Sequence, residues 1–348
     1  MTPWPNSGQI DHRFIELLMS FCSKTVLSLA TVAACSLASA APVSLGAAST
    51  YNLLSLSDFN AGNSSIGGAV AVAGNMRAST FSINGQGAAR ETLVVGGNLN
   101  YNQASVNGRV AVGGQLNATS TNLLAGQSTT GSTPVDFASL TQQMQALSSA
   151  LSQLSATGTT GNQYGGLKFT GTHSAVEVFS ITGDALSAYS WGALEGLQAG
   201  STVLINVSGK TADVHGGIPS ELSRYNVLYN FFEAETLNIS GTALYGSVLA
   251  PDALVQGGNG QINGNVVAGN WNSSITLNAG HYFNTTEVAN FALGSAPSFG
   301  GGLIVGAPST PVGGEVPEPG ALALMGLALA LLVGFTLRGK RAASRPQA

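Results

Sequence analysis

The sequence predicts a mainly β protein: a β-solenoid body of the right-handed β-helix type, with one long amphipathic helix packed alongside. Three observations predict it. Short runs of Val, Leu and Ala ended by glycine recur through the body. Glycine is abundant (46 of 348 residues) while aromatics make up only 7%, which suits a thin core and close backbone approach. A single glycine-free stretch carries helical periodicity. A β-sandwich is the alternative, because short strands with glycine-rich turns fit it as well.

The recurring phrase appears as Gly68-Ala-Val-Ala-Val-Ala-Gly74-Asn75, Thr92-Leu-Val-Val-Gly96-Gly97-Asn98 and Gly108-Arg-Val-Ala-Val-Gly113-Gly114-Gln115. Later relatives are Gly246-Ser-Val-Leu-Ala-Pro251 and Gly264-Asn-Val-Val-Ala-Gly269-Asn270. From Asn75 to Asn98 is 23 residues and from Asn98 to Gln115 is 17, near the period of one solenoid coil. A coil cannot bury its apolar face alone, so coils stack and share a core. Glycine is expected at corners that need positive φ, with asparagine as the residue that tolerates them next best.

The helix is expected over 135–157. Phe137, Leu140, Met144, Leu147, Leu151 and Leu154 recur at steps of three and four, one apolar stripe with Ser, Gln and Ala on the other faces. Salt-bridging charges are absent, so the stripe is assigned to packing on the β body rather than to a coiled-coil seam. A further β-rich part runs from about Gly166 to Phe291 and includes Thr202-Val-Leu-Ile-Asn-Val207. The β body as a whole is assigned to 44–291, and Gly, Pro and Ser over 292–315 read as a spacer.

Both ends carry export signals. Residues 1–40 form a leader whose pattern is best from Met19: Lys24, an apolar run from Thr25 to Leu37, then Ala38-Ser39-Ala40 before Ala41. Cleavage is expected after Ala40; Val32-Ala33-Ala34-Cys35, which resembles a lipoprotein box, is the weaker site. Both cysteines, Cys22 and Cys35, lie in the leader, so the mature chain has neither disulfides nor thiol chemistry. At the other end, 316–348 opens on Pro317-Glu318-Pro319, continues with an apolar stretch from Ala321 to Leu337 and closes on Arg338, Lys340 and Arg341. The 18 residues from Gly320 to Leu337 make about 27 Å of helix at about 1.5 Å per residue, enough to cross a bilayer, and the basic cluster keeps the tail cytoplasmic. This tripartite tail resembles the PEP-CTERM sorting signal. The resemblance implies an exosortase as processing partner, an inner-membrane anchor through the helix and display at the cell surface.

The body resembles the choice-of-anchor A family of exported bacterial proteins. The carrying segments are Tyr51-Asn-Leu-Leu, Gly67-Gly-Ala-Val-Ala-Val-Ala-Gly-Asn75, Val94-Val-Gly-Gly-Asn-Leu99, Asn226-Val-Leu-Tyr-Asn-Phe-Phe232, and Leu237-Asn-Ile-Ser-Gly-Thr-Ala-Leu-Tyr-Gly-Ser-Val-Leu-Ala-Pro-Asp-Ala-Leu254 followed by Gly264-Asn-Val-Val-Ala268. The resemblance implies an exported domain joined to one of several sorting signals, and it transfers no catalytic or ligand residue. A solenoid flanked by a helix is also similar in architecture to ice-binding adhesins, although regular Thr-x-Thr ranks are absent.

Chemistry is sparse. Between Ala41 and Val316 stand six basic and thirteen acidic residues, a formal charge of −7 with no basic stripe, which excludes nucleic acid as a partner. His173, His215 and His281 are widely spaced without a metal pattern, and no cofactor is expected. Asp213 and His215 would share a strand face, as would Glu233 and Glu235, the pair to consider for glycoside cleavage. Asp252 is expected to bond its own backbone at a turn. The glycines of 257–260 lack the Lys-Ser/Thr of a phosphate loop. Six Asn-x-Ser/Thr sequons, at Asn63, Asn117, Asn206, Asn238, Asn272 and Asn284, follow from composition. Trp191, Trp271, Tyr245 and Tyr282 could stack on sugars but are assigned first to packing. The expected function is an exported, non-enzymatic cell-surface or extracellular-matrix protein associated with exopolysaccharide. A polysaccharide-degrading enzyme, or an adhesin or ice-binding-like module, are the alternatives.

Overall fold

The computed structural model describes residues 40–86, 91–123, 128–216 and 218–293, all within the first of the chain's two units, Met1–Ala296. The signal-peptide residue Ala38, the sorting residues Pro317, Glu318, Pro319, Arg338, Lys340 and Arg341, and nearly all of the spacer lie outside the described residues. Among the described residues no helix is long and apolar enough to cross a membrane.

The protein is mainly β with few helices. Its main sheet pairs in parallel throughout, where a sandwich would bring antiparallel neighbours together. Three ladders make up this sheet; the third runs Ala243–Tyr245, Gln261–Asn263, Thr276–Asn278, the end of Phe59–Ile66, the end of Met76–Ile83, Ser105–Val106 and Asn122–Leu123. In the first, the spatial order is Val176–Thr182, Thr202–Ser208, Asn226–Phe231, the start of Ser247–Gly258, the start of Val266–Ser273, Leu53–Ser55, Val70–Val72, Glu91–Val95, Arg109–Val112 and Ser128–Thr130. The chain therefore begins in the middle of its own stack. It builds outward to one end, crosses to the other, and builds back until Val266–Ser273 meets Leu53–Ser55.

The crossing contains helix α1, Phe137–Ser152. It is shorter than the expected 135–157. Asp136 caps the N-terminus by accepting from the Ser139 backbone N–H (3.1 Å), and Gln153 caps the other end, so the last stripe residue, Leu154, follows the helix. The stripe packs as expected: Leu140, Met144, Leu147 and Leu151 are buried, and Phe137 and Leu154 pack against the same cluster. Their partners are the outward residues of the first ladder, among them Leu54, Val94, Leu204, Leu228, Leu249 and Val267. Inward neighbours such as Leu53, Val95, Val203, Tyr229 and Val266 fill the other core. Strands buried on both faces need apolar residues at every position, which is the reason the repeated phrases read Val-Ala-Val and Leu-Val-Val. A buried polar network fastens the helix. Ser148 Oγ donates to Asn230 Oδ1 (2.6 Å), Asn230 Nδ2 to Asn206 Oδ1 (2.8 Å), and Asn206 Nδ2 to the Leu151 carbonyl (2.7 Å).

The glycines closing the phrases serve a different purpose from the one expected. Gly96 and Gly113 do not have positive φ. A Cβ on Gly96 would overlap the Ala73 carbonyl oxygen, and one on Gly113 the Gly96 carbonyl oxygen, so they permit close stacking. The amide that follows completes the corner. Asn75 N–H donates to Asp58 Oδ1 (2.7 Å), Asn98 N–H to Asn75 Oδ1 (3.0 Å) and Gln115 N–H to Asn98 Oδ1 (2.8 Å). Of the glycines opening the phrases, Gly108, Gly246 and Gly264 take positive φ, whereas Gly68 does not.

Ahead of the body assigned to 44–291, Ala40–Val43 pairs antiparallel with Thr286–Ala289. Ala40 and Ala41, the expected cleavage junction, thus lie opposite Ala289 and Val288. A separate sheet of Thr159–Gln163, Gly166–Thr170 and Gly192–Glu195 contributes Leu167 and Phe169 to the core, where Phe169 meets Phe179 edge to face at 5.3 Å.

Candidate functional site: an open polar face

The second ladder has an uncovered outer face. Its strands are Thr211–Val214, Thr236–Ser240, the ends of Ser247–Gly258 and Val266–Ser273, the starts of Phe59–Ile66 and Met76–Ile83, Leu99–Asn102 and Leu116–Thr119. Side chains alternate, so Ala212, Leu237, Val255, Trp271, Phe59, Met76 and Leu99 point inward and are buried. The outward neighbours stand in one register-matched column: Asp213, Asn238, Gln256, Asn272, Asn60, Arg77, Asn100 and Asn117. None of them is buried. Adjacent amides bond where the register allows, Asn60 Nδ2 to Asn272 Oδ1 (2.9 Å) and Asn117 Nδ2 to Asn100 Oδ1 (3.1 Å). Each such bond uses one amide hydrogen and leaves further donor and acceptor capacity directed at solvent.

The column crosses the junction between the two halves of the chain, where Asn272 meets Asn60. Sequence spacing does carry part of it: Asn100 and Asn117 are 17 residues apart, the same interval as Asn98 and Gln115. The remainder depends on the mid-stack start, for which the sequence has no local signal.

The sequence-highlighted chemical groups do not converge. His173, His215 and His281 are exposed in three separate segments. Among the described residues, no group of three His, Cys, Asp or Glu is placed to hold a metal ion. Asp213 and His215 are both exposed; Asp213 belongs to the column and His215 to the bend that follows. Glu233 accepts from the Gly209 N–H (2.8 Å) and Glu235 pairs with Lys210 Nζ (2.7 Å), which ties both to the 208–211 turn. Asp252 lies within the strand Ser247–Gly258 and accepts from Gln145 Nε2 of α1 (2.7 Å), instead of bonding its own backbone. Trp271 is buried and stacks on Phe59 at 6.4 Å, so it packs rather than binds; Trp191 is 42% exposed.

Among the described residues one carboxylate is wholly buried. Glu177 accepts from Thr172 N–H (2.6 Å), Ser174 N–H (2.9 Å) and Thr157 Oγ1 (2.8 Å). Burial raises its pKa, but the hydrogen bonds from Ser174, Thr157 and Thr172 outweigh that and hold the carboxyl below its usual range. Its partners are all on 157–174, so its role is to anchor that segment.

The stack of parallel strands is thus apolar on the helix side and carries, on its open side, a column of six amides with Asp213 and Arg77. The chain belongs to the family described as "Putative Ice-binding-like adhesive domain", whose model matches residues 44–279. A second model, the PEP-CTERM protein-sorting motif, matches residues 315–341, so this adhesive-domain protein carries the signal for surface sorting and exosortase processing. Among solved structures, the ice-binding protein from the Antarctic ascomycete Antarctomyces psychrotrophicus is similar at 16% identity over 69% of this chain and 97% of that one, with a TM-score of 0.29. Comparison with curated proteins gave no match.

Proposed function

We propose that this is an exported, non-enzymatic adhesive protein of the bacterial surface or extracellular matrix, processed by an exosortase and associated with exopolysaccharide. In this reading the three ladders are the sides of β-solenoid coils, since Leu53–Ser55, Phe59 and Ile66 visit the first, second and third ladders in turn. The choice-of-anchor A likeness fits the same picture of an exported module joined to a sorting signal.

The observation that carries the reading is the amide column on the open face. Six of its eight members are Asn or Gln. Strands repeat about every 4.8 Å, so a partner lying along the stack meets an equivalent group at nearly every coil. Each contact is weak, and their sum over one rigid face gives avidity. Neutral amides suit polyhydroxylated or hydrated surfaces better than polyanions, which would call for Arg and Lys.

The test is sedimentation of the protein, purified from its host, with that host's exopolysaccharide. Co-sedimentation that falls when Asn60, Asn100 and Asn117 are replaced together by Ala supports the proposal. A protein that stays in the supernatant contradicts the association. Retention of residues 316–348 in both wild-type and exosortase-deficient cells would contradict the processing.

A further inference from the structure

We propose that a groove beside the open face binds a neutral, linear glycan lying along the stack. This rests on the matrix-adhesive reading and names the ligand class for one part of the surface. The groove has a volume of about 690 Å³ and runs across successive strands at the turn between the second and third ladders. Ser79 pairs with Asn102 and Ser82 with Ser105, so the residues between them align as well, and the groove has three parallel columns.

Thr80 and Gln103 form one rim. Both hold left-handed backbone (φ 49° and 48°), which turns the chain sharply between its second- and third-ladder segments and leaves a shallow, open groove. Phe81 and Ala104 form the floor, only 3% and 8% exposed, a narrow apolar strip. Ser82 and Ser105 form the far rim. The hydroxyls of Thr80, Ser82 and Ser105 and the Gln103 amide bond to nothing among the described residues, whereas Ser64 Oγ at the groove's edge lies 3.4 Å from Thr276 Oγ1.

This arrangement fits a pyranose chain. Its hydroxyls reach donors and acceptors on both rims, and only the narrow strip of Phe81 and Ala104 left accessible passes beneath its C–H face. The strand spacing of about 4.8 Å is close to the advance of one sugar unit in an extended chain. Among the described residues no Lys, Arg, Asp or Glu lines the groove, so these residues offer no cation for an acidic sugar and no carboxylate pair for cleavage. The groove binds without turnover.

The experiment is affinity electrophoresis of the full-length protein in gels containing hydroxyethylcellulose, a linear neutral glucan, or alginate, a polyanion. The wild type is expected to be retarded by hydroxyethylcellulose and not by alginate. Ser105→Tyr, which fills the groove, and Gln103→Asn, which shortens one rim and tolerates the left-handed backbone, should each weaken retardation about tenfold. Trp191→Ala, at an exposed indole away from both the groove and the open face, should migrate like the wild type. If Ser105→Tyr fails to fold, Gln103→Asn decides. Unchanged retardation in the groove variants, equal binding of alginate, or a loss confined to Trp191→Ala overturns the proposal. If hydroxyethylcellulose is not bound while host exopolysaccharide still is, the groove assignment fails alone; if neither is bound, the matrix reading fails with it.

Discussion

Asn52 donates its side-chain amide to the carbonyl of Gly264 at 2.6 Å, across 212 residues of chain. The same buried side chain donates to the Asn278 carbonyl (3.3 Å) and accepts from the Gly68 N–H (2.9 Å). It sits where the first strand of the stack docks against the last, so one side chain joins the two halves of the body. Asn52→Ala leaves buried backbone groups without partners and should lower stability by about 3 kcal/mol. Asn60→Ala, exposed on the open face, should change it by less than about 0.5 kcal/mol. Urea unfolding of both variants checks the contrast, and equal midpoints would refute it.

Gly96 makes a second test, aimed at the repeated phrase. Its missing Cβ leaves room for the Ala73 carbonyl of the neighbouring coil, backbone that cannot yield cheaply, with the Phe137 ring also close by. Gly96→Ala should cost about 2–3 kcal/mol through overpacking. Gly161, with nothing near its Cβ position and no positive φ, should tolerate the same change or gain about 0.5 kcal/mol. Thermal unfolding separates the two; a neutral Gly96→Ala would mean that the phrase marks turns rather than stacking.

The helix anchorage is tested by a double-mutant cycle. Ser148 and Asn230 meet through two hydrogen bonds, Ser148 Oγ to Asn230 Oδ1 and Asn230 Nδ2 to the Ser148 carbonyl (2.9 Å). Ser148→Ala and Asn230→Ala should couple by about 1–2 kcal/mol. Additive effects would show that apolar packing alone holds α1 on the first ladder.

Glu177 gives a pH test. Its pKa is lowered in the folded protein, so its contribution is fully present above the unfolded value, about 4.3, and is lost as pH falls through the lower folded value. Wild type should therefore lose stability steeply below about pH 4. Glu177→Gln should be less stable at pH 7 and flatter in acid. Parallel pH profiles for the two proteins would contradict the assignment.

The legibility of this molecule in its sequence follows from how local each feature is. The helical stripe from Phe137 to Leu154 was readable because period and burial coincide within one segment. The Val/Ala runs and their terminal glycines were readable as strands, since each repeats in the chain. The pairing of Leu54 with Val267 was not, because a chain that starts in the middle of its own stack leaves no periodic trace of where it closes. The amide column inherits that difficulty: Asn100 and Asn117 share the local repeat, whereas Asn272 and Asn60 become neighbours only through the closure. Asp252 was misplaced for a related reason, as its partner Gln145 lies 107 residues away on the helix.

The most direct test of the central claim is surface attachment. Cells displaying the wild-type protein are compared with cells displaying an Asn60→Ala, Asn100→Ala, Asn117→Ala triple variant, at matched surface levels and matched thermal unfolding midpoints. An adhesive open face predicts that the triple variant loses most attachment and matrix retention while remaining folded and sorted. Attachment equal to wild type would contradict the account and remove the amide column from the function of this protein.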